Sequence, residues 1–424
     1  MVLLLGCSAA APPSLQSLHP SRTALRLSPK SDAPATLYLD SPSETEGFLS
    51  SIESAPMLAI DTEGASFHRF VDRIYLLQLS TSNRHAIIDP LRVPAPRKLG
   101  MLLESRAVEV VFHDADYDLR LLHQDYGWRV NNIFDTRIAA QLLGIKAFGL
   151  AALLEQFFGL KLDKKHQRAD WSMRPLTVDM LEYAAQDTQH LLELRGRLRD
   201  ALERKDRLHW ALEEFARLEG TQWDEDDNSQ AFMRIKGARD LTRRELALLR
   251  ELTSWRDDVA RAQDKSTFRI VTNEVLLSLA RSAPATIKAL EGTRGLNARL
   301  IEQRGTQLLA AIARGVAVPD AELPRFPKSA RWERDPDFDD RVGRLKHARD
   351  EAARRLELDP GVLFSRERLE AVARRKPSRV EDLAEIAEVR RWQIEVLGEA
   401  FVRALRQAGP APARAADDSP YRDA

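Results

Sequence analysis

The sequence predicts an α/β domain over residues 35–205, a mixed sheet flanked by helices, followed by two all-α helical modules. Three observations carry this. Short apolar or β-branched runs alternate with amphipathic stretches as far as residue 199. Beyond a polar, acidic break at 219–229 the strand signal nearly disappears. The helical remainder then repeats itself. An offset of 93 residues pairs Pro284 with Pro377 and, without gaps, Arg256-Asp257 with Arg349-Asp350, Ala280-Arg281 with Ala373-Arg374, and Gly305 with Gly398. Proline and glycine kept in step over that length indicate a duplicated module, not merely shared composition.

Taken in order, strands are expected at 36–39, 57–61, 74–80, 85–88 and 108–112. The first four lie close together in the chain, as antiparallel neighbours do. The fifth follows a helix at 96–105 and suggests a parallel addition. Further helices are expected at 117–124, 136–143, 150–157 and 177–199, and from there to about 218. Residues 206–240 read as a helical and acidic connector, 241–317 and 338–408 as the two modules, and 318–337 as a Pro-rich linker. The ends, 1–34 and 409–424, are rich in Ala, Pro or Ser and are expected to be disordered. For 1–34 a start codon placed too early is the alternative. A targeting peptide fits less well, because the opening MVLLLGC lacks a basic flank and its apolar run is short.

Composition excludes several classes. With 44% hydrophobic and 30% charged residues the chain is globular, and no apolar run is long enough to span a bilayer. Basic and acidic residues balance at 64 each, so nucleic-acid binding must come from local patches. A single cysteine, Cys7, excludes a disulfide framework or a Cys-rich zinc site and fits a reducing compartment. A cytoplasmic monomer is expected.

The chemistry centres on Leu58-Ala59-Ile60-Asp61-Thr62-Glu63-Gly64. Alternate strand residues face one side, so Asp61 and Glu63 project together from the end of a buried strand. Like charges placed so are unfavourable unless a cation holds them. More acids follow. Asp114, Asp116 and Asp118 stand where a strand gives way to a helix, and helix capping accounts for some of them. In the helix Leu181-Glu-Tyr-Ala-Ala-Gln-Asp, Tyr183 and Asp187 share a face, and a mid-helix Asp beside apolar neighbours calls for a cause such as a metal. Four carboxylates from three segments can hold two magnesium or manganese ions, which take oxygen ligands and can drive phosphodiester hydrolysis. Tyr183 would position the attacking water. His113, beside these acids, is expected to be structural, because such ions rarely take imidazole.

The ordered set Asp61-x-Glu63, Asp118 and Tyr183-x-x-x-Asp187 resembles the three motifs of the DEDD exonucleases in their tyrosine-bearing branch. Gln78-Leu-Ser, Ile88-Asp-Pro-Leu91, Phe134-Asp-Thr-Arg and above all Lys165-His-Gln-Arg-Ala-Asp-Trp-Ser-Met-Arg-Pro-Leu176 narrow the resemblance to the ribonuclease D family. The duplicated modules resemble its tandem HRDC domains. The resemblance implies a ribonuclease-H-like fold and 3′-5′ hydrolysis of RNA, releasing nucleoside monophosphates during tRNA 3′-end maturation. It also implies that Asp61, Glu63 and Asp187 hold the water-activating ion. Asp61, with Asp118 directly or through water, would hold the ion at the leaving group. Gly64-Ala65 departs from the family, where a bulkier wall is expected.

Lys161, Lys164, Lys165, His166, Gln167 and Arg168, followed by Trp171 and Arg174, interleave cations with an aromatic, as a nucleic-acid contact does. Lys165, Gln167, Arg168, Trp171 and Arg174 are the substrate candidates, although Trp171 suits a core position equally well. Asp170 is expected to orient Arg168 or Arg174. On the first module Arg256, Arg261, Lys265 and Arg269 are candidates against a surface salt-bridge lattice. The expected partner is RNA, tRNA precursors and other structured 3′ ends. A DNA exonuclease of the same fold and a non-catalytic RNA scaffold are the alternatives.

Overall fold

The computed structural model describes residues 25–27, 35–163, 165–224, 230–327 and 335–407. Lys164, most of the N-terminal extension, parts of the acidic break and linker, and the tail from 408 lie outside the described residues.

Seven strands form one mixed sheet in the order β1-β2-β5-β4-β3-β6-β7. They are β1 (Leu25–Leu27), β2 (Thr36–Leu39), β3 (Met57–Glu63), β4 (Leu76–Ser80), β5 (His85–Ile88), β6 (Glu109–Phe112) and β7 (Ile133–Asp135). The meander β3-β4-β5 is antiparallel and β6 adds in parallel to β3, as the spacing predicts. Three features differ from expectation. β2 pairs with β5 in parallel, because helix α1 (Pro42–Ser51), which the sequence pattern did not reveal, carries the chain across the sheet before β3 begins. Residues 25–27, placed in the extension, form the antiparallel edge strand β1. β7, only three residues long, extends the parallel edge beside β6.

Helices α2 (Arg97–Glu104) and α3 (Asp116–Tyr126) join α1 in one core. A second core unites β3, β6 and β7 with α4 (Thr136–Leu142), α5 (Leu150–Phe158), α7 (Leu191–Arg204) and α8 (Leu208–Leu218). α6 (Val178–Gln189) lies on the same face of the sheet as the second core, in a third cluster with Leu76 of β4 and Ile87 of β5. The expected single helix from 177 therefore breaks at His190 (φ −106°, ψ −1°). Thr188 is held to Ser80 of the sheet at 2.8 Å, while Leu191, Leu194, Leu198 and Leu202 turn into the second core.

Both helical modules are present, and their repeat is visible in the backbone. Asp264 and Glu357, and likewise Ala283 and Lys376, occupy matching left-handed positions at helix ends. Arg256 and Arg349 are both buried, each paired with the aspartate that follows it. The second module shares the exonuclease core. Trp210 stacks on Trp392 with centroids 4.9 Å apart, and Arg207 donates to Leu142 O (2.8 Å) and Leu356 O (2.6 Å). Gly144 (φ +82°) permits this docking, since a Cβ there would stand 2.2 Å from Glu357 O.

Candidate active site

β3 runs through Glu63, two residues further than expected, so Asp61 and Glu63 both lie on regular strand and face the same side. α6 crosses that side, capped by Thr177 and anchored by Thr188, and presents Asp187. Ligand oxygens of Asp61, Glu63 and Asp187 all lie within 4.8 Å of one another. Asp118 arrives from the first turn of α3 and is 5% exposed. The parallel ladder between β3 and β6 ends at Ala59 and Val111, leaving the β3 backbone beyond it unpaired on that edge. Asp118 Oδ1 fills the gap, accepting from Thr62 N (3.0 Å) and Thr62 Oγ1 (2.6 Å).

Burial, reinforced by the neighbouring carboxylates, raises the Asp61 and Glu63 carboxyls well above their ordinary range. Burial pushes Asp118 up to about 7 against the Thr62 hydrogen bonds that oppose it. Burial and then the charge of Asp118 push Asp187 to about 7. Such acids exist as a charged cluster at neutral pH only with a cation among them. The donors are carboxylate oxygens with no imidazole or thiol, which suits a hard divalent ion. Gln78, fully buried on β4 opposite Asp61, donates Nε2 to Asp61 Oδ2 at 3.3 Å. Its Oε1 is buried without a hydrogen-bond partner among the described residues. The Tyr183 hydroxyl is raised by burial and by Asp187, Glu63 and Asp61, so it keeps its proton at neutral pH.

The other acids at this strand end do different work. Asp114 pairs with Arg137 and Asp116 with Arg120. The expected aspartate cap of α3 is absent: Ala115 holds that position and donates its N–H to Asp135 at 2.8 Å. His113 bonds Thr136 at 2.9 Å, and burial lowers it to about 4, which makes it the structural histidine expected.

Among the substrate candidates, Lys165, Gln167 and Arg168 are exposed on a turn. Lys165 lines a cavity of about 160 Å³ shared with Tyr183, His166 and Gln186. Trp171 and Arg174 are corrections. Trp171 is 2% exposed, with no free face for a base. Arg174 spends its guanidinium on Asp89 (2.7 and 2.8 Å) and on the carbonyls of Trp171, Met173 and Tyr75. Burial alone would raise the Asp89 carboxyl, but hydrogen bonds from Arg174 and Tyr38 hold it below its ordinary value. Asp170 binds Ser172 and faces Arg69 and His68, orienting neither Arg168 nor Arg174. Gly64, where a bulkier wall was expected, is required by Tyr117: a Cβ there would stand 2.2 Å from Tyr117 Oη.

Residues 38–203 match the family model for 3′-5′ exonucleases, and 245–312 and 338–405 match that for HRDC domains. The chain is 32% identical over 306 residues to ribonuclease D of Granulibacter bethesdensis, spanning 71% of this chain and 76% of that protein. It is 30% identical over 356 residues to ribonuclease D of Pseudomonas paraeruginosa, spanning 83% of this chain and 93% of that protein. The chain belongs to the ribonuclease D family. In that family of 3′-5′ exoribonucleases, the Escherichia coli enzyme, described as an exoribonuclease involved in structured RNA processing, has a crystal structure that superposes with a TM-score of 0.67 at 25% identity. The match covers 87% of this chain and 98% of that one. The catalytic core of RRP6 from Trypanosoma brucei superposes with a TM-score of 0.61 at 27% identity, covering 70% of this chain and 83% of that one. No described helix is long and apolar enough to cross a membrane.

Proposed function

We propose that this ribonuclease D family chain shortens RNA from its 3′ end by a two-metal-ion mechanism. It releases nucleoside 5′-monophosphates from tRNA precursors and other structured RNA and acts as a cytoplasmic monomer. The observation that carries the reading is the approach of the Asp61, Glu63 and Asp187 carboxylates to within 4.8 Å under Tyr183. Asp61, Glu63 and Asp187 would hold one magnesium or manganese ion, and Asp61 with Asp118 the other. When bound, the ions supply Lewis-acid activation of the water and neutralise charge at the departing oxygen. Thr62 fixes the Asp118 carboxylate for that task. Tyr183 Oη, still protonated, hydrogen-bonds the attacking water and orients it without acting as a base. Lys165, which lines a cavity with Tyr183 and pairs with Asp179 at 3.6 Å, would meet a phosphate of the terminal nucleotides, with Gln167 and Arg168 further along the same turn.

The test is release of mononucleotides from 3′-labelled tRNA precursor in magnesium or manganese, and its loss in Asp61→Asn. A variant that digests as fast as the parent overturns the site assignment. A clear preference for single-stranded DNA over RNA in one competing reaction overturns the substrate.

A further inference from the structure

The loop that leaves Glu63 is also the seat of the first helical module. Ser266 Oγ donates to Ser66 O at 2.5 Å and to Arg69 O at 3.3 Å. Asp264 accepts from Phe70 N at 3.3 Å and pairs with Arg69 at 3.3 Å. Over this polar peg two rings meet, Phe67 from the loop and Phe268 from the module, with centroids 4.9 Å apart. The Arg269 guanidinium lies 5.3 Å from the centre of the Phe67 ring and makes no ion pair among the described residues. Lys265 is exposed beside them.

Single exposed aromatics need no explanation. A pair assembled from two domains, each phenylalanine still 44% exposed, is a different matter. Rings that served only to glue the domains would be buried by the contact, and these are not. Their place along the chain is informative too. Phe67 is four residues past Glu63, so its Cα lies within about 14 Å of that acid's even were the loop fully extended. An RNA strand with its last phosphodiester at the acids has its preceding nucleotides within that radius. Flat apolar faces set beside exposed cations such as Lys265 and Arg269 are what unpaired bases and their phosphates bind.

We infer that Phe67, Phe268 and Arg269 form a stacking platform for the unpaired nucleotides upstream of the scissile one, completed only when the first module sits on the exonuclease domain. The inference rests on the exoribonuclease reading above and adds a consequence. A 3′ tail too short to reach from the acids to the platform is cut without its help.

The test compares the parent with Phe268→Ala, Phe268→Leu and Phe268→Tyr on a dinucleotide and on a single-stranded RNA decamer, by kcat/KM and by fluorescence anisotropy of the labelled decamer. The Ala and Leu variants are expected to lose about 5- to 30-fold on the decamer, the loss of one stacked base, and nothing on the dinucleotide. Tyr, which keeps a flat ring, is expected to match the parent. Melting temperatures are expected to stay level, because Phe268 is an exposed residue. Full decamer activity and binding in the Leu variant, which fills the same space without a flat face, overturns the platform. So does an equal fall on both substrates. Anisotropy reads decamer binding even if the parent cleaves neither substrate, so failure of the exoribonuclease reading shows separately.

Discussion

The Thr62 hydroxyl donates to Asp118 Oδ1 at 2.6 Å, and the Thr62 main-chain N–H donates to the same oxygen at 3.0 Å. One residue thus sits between Asp61 and Glu63 in sequence, faces the other way along β3, and fixes an acid from a different element. Removing the hydroxyl leaves Asp118 with one fewer bond to its charged form in a buried place. Thr62→Val is expected to lower kcat/KM by about 10- to 100-fold at limiting metal, the usual loss when a partner of a ligand is removed. Saturating magnesium is expected to restore part of it. A metal titration checks this, and a Thr62→Val variant with the parent's midpoint and rate disproves the role.

The raised carboxyls make a prediction about the metal-free protein. Asp118 and Asp187 titrate near 7 when folded but near the ordinary carboxylate value when unfolded. Between roughly pH 4 and 7 the folded state therefore binds more protons, so its stability falls as pH rises through that window. Asp187→Asn removes one of the mutually repelling charges. In EDTA at pH 7.5 it is expected to melt higher than the parent, by about 2–4 °C for each kcal/mol of repulsion relieved, with the gap closing at pH 4. Magnesium is expected to raise the parent's melting temperature and leave the variant's unchanged. Identical melting curves for the two proteins in EDTA at pH 7.5 would count against the charged cluster.

These acids were legible in the sequence because local geometry alone sets their facing: alternate residues on a strand, and a Tyr and Asp four apart on a helix. The duplicated module was legible for a similar reason, since a fixed offset needs no tertiary knowledge. Trp171 and Arg174 were misread because a run of cations around an aromatic has the same composition whether it faces RNA or the core. The deciding partner, Asp89, lies 85 residues earlier. Arg256 was misplaced in the same way: its pairing with Asp257 and Asn273 turns it inward, off the RNA-facing surface expected of it. Arg261 pairs with Asp258 and its guanidinium lies 5.0 Å from the Phe70 ring, so it serves the domain contact. Thr62 carried no signal of its own, and Gln78 stood out only as part of the family-like Gln78-Leu-Ser, because what each does for the acids comes from where β6 ends and what β4 faces.

The same dependence on tertiary contact governs Gly64. Tyr117 Oη donates to Asp72 Oδ2 at 2.5 Å, and Asp72 Oδ1 accepts from Ala65 N at 3.0 Å, so the chain leaving Glu63 is clamped between a phenol and a carboxylate. A Cβ on Gly64 would meet Tyr117 Oη at 2.2 Å and Asp72 Oδ1 at 2.8 Å. Gly64→Ala must therefore push this clamp away from the residue next to Glu63. An active-site shift on the order of 1 Å can cost about 100-fold in rate, and that is the loss expected. If the phenol oxygen is the obstacle, deleting it should help, because the next Tyr117 atom, Cζ, stands at 3.2 Å, a distance a small side-chain movement absorbs. The double variant Gly64→Ala, Tyr117→Phe is expected to recover roughly tenfold over Gly64→Ala alone, although Tyr117→Phe by itself removes a hydrogen bond. Single-turnover rates for all four proteins check this, and a double variant no faster than Gly64→Ala would show that the steric argument is mistaken.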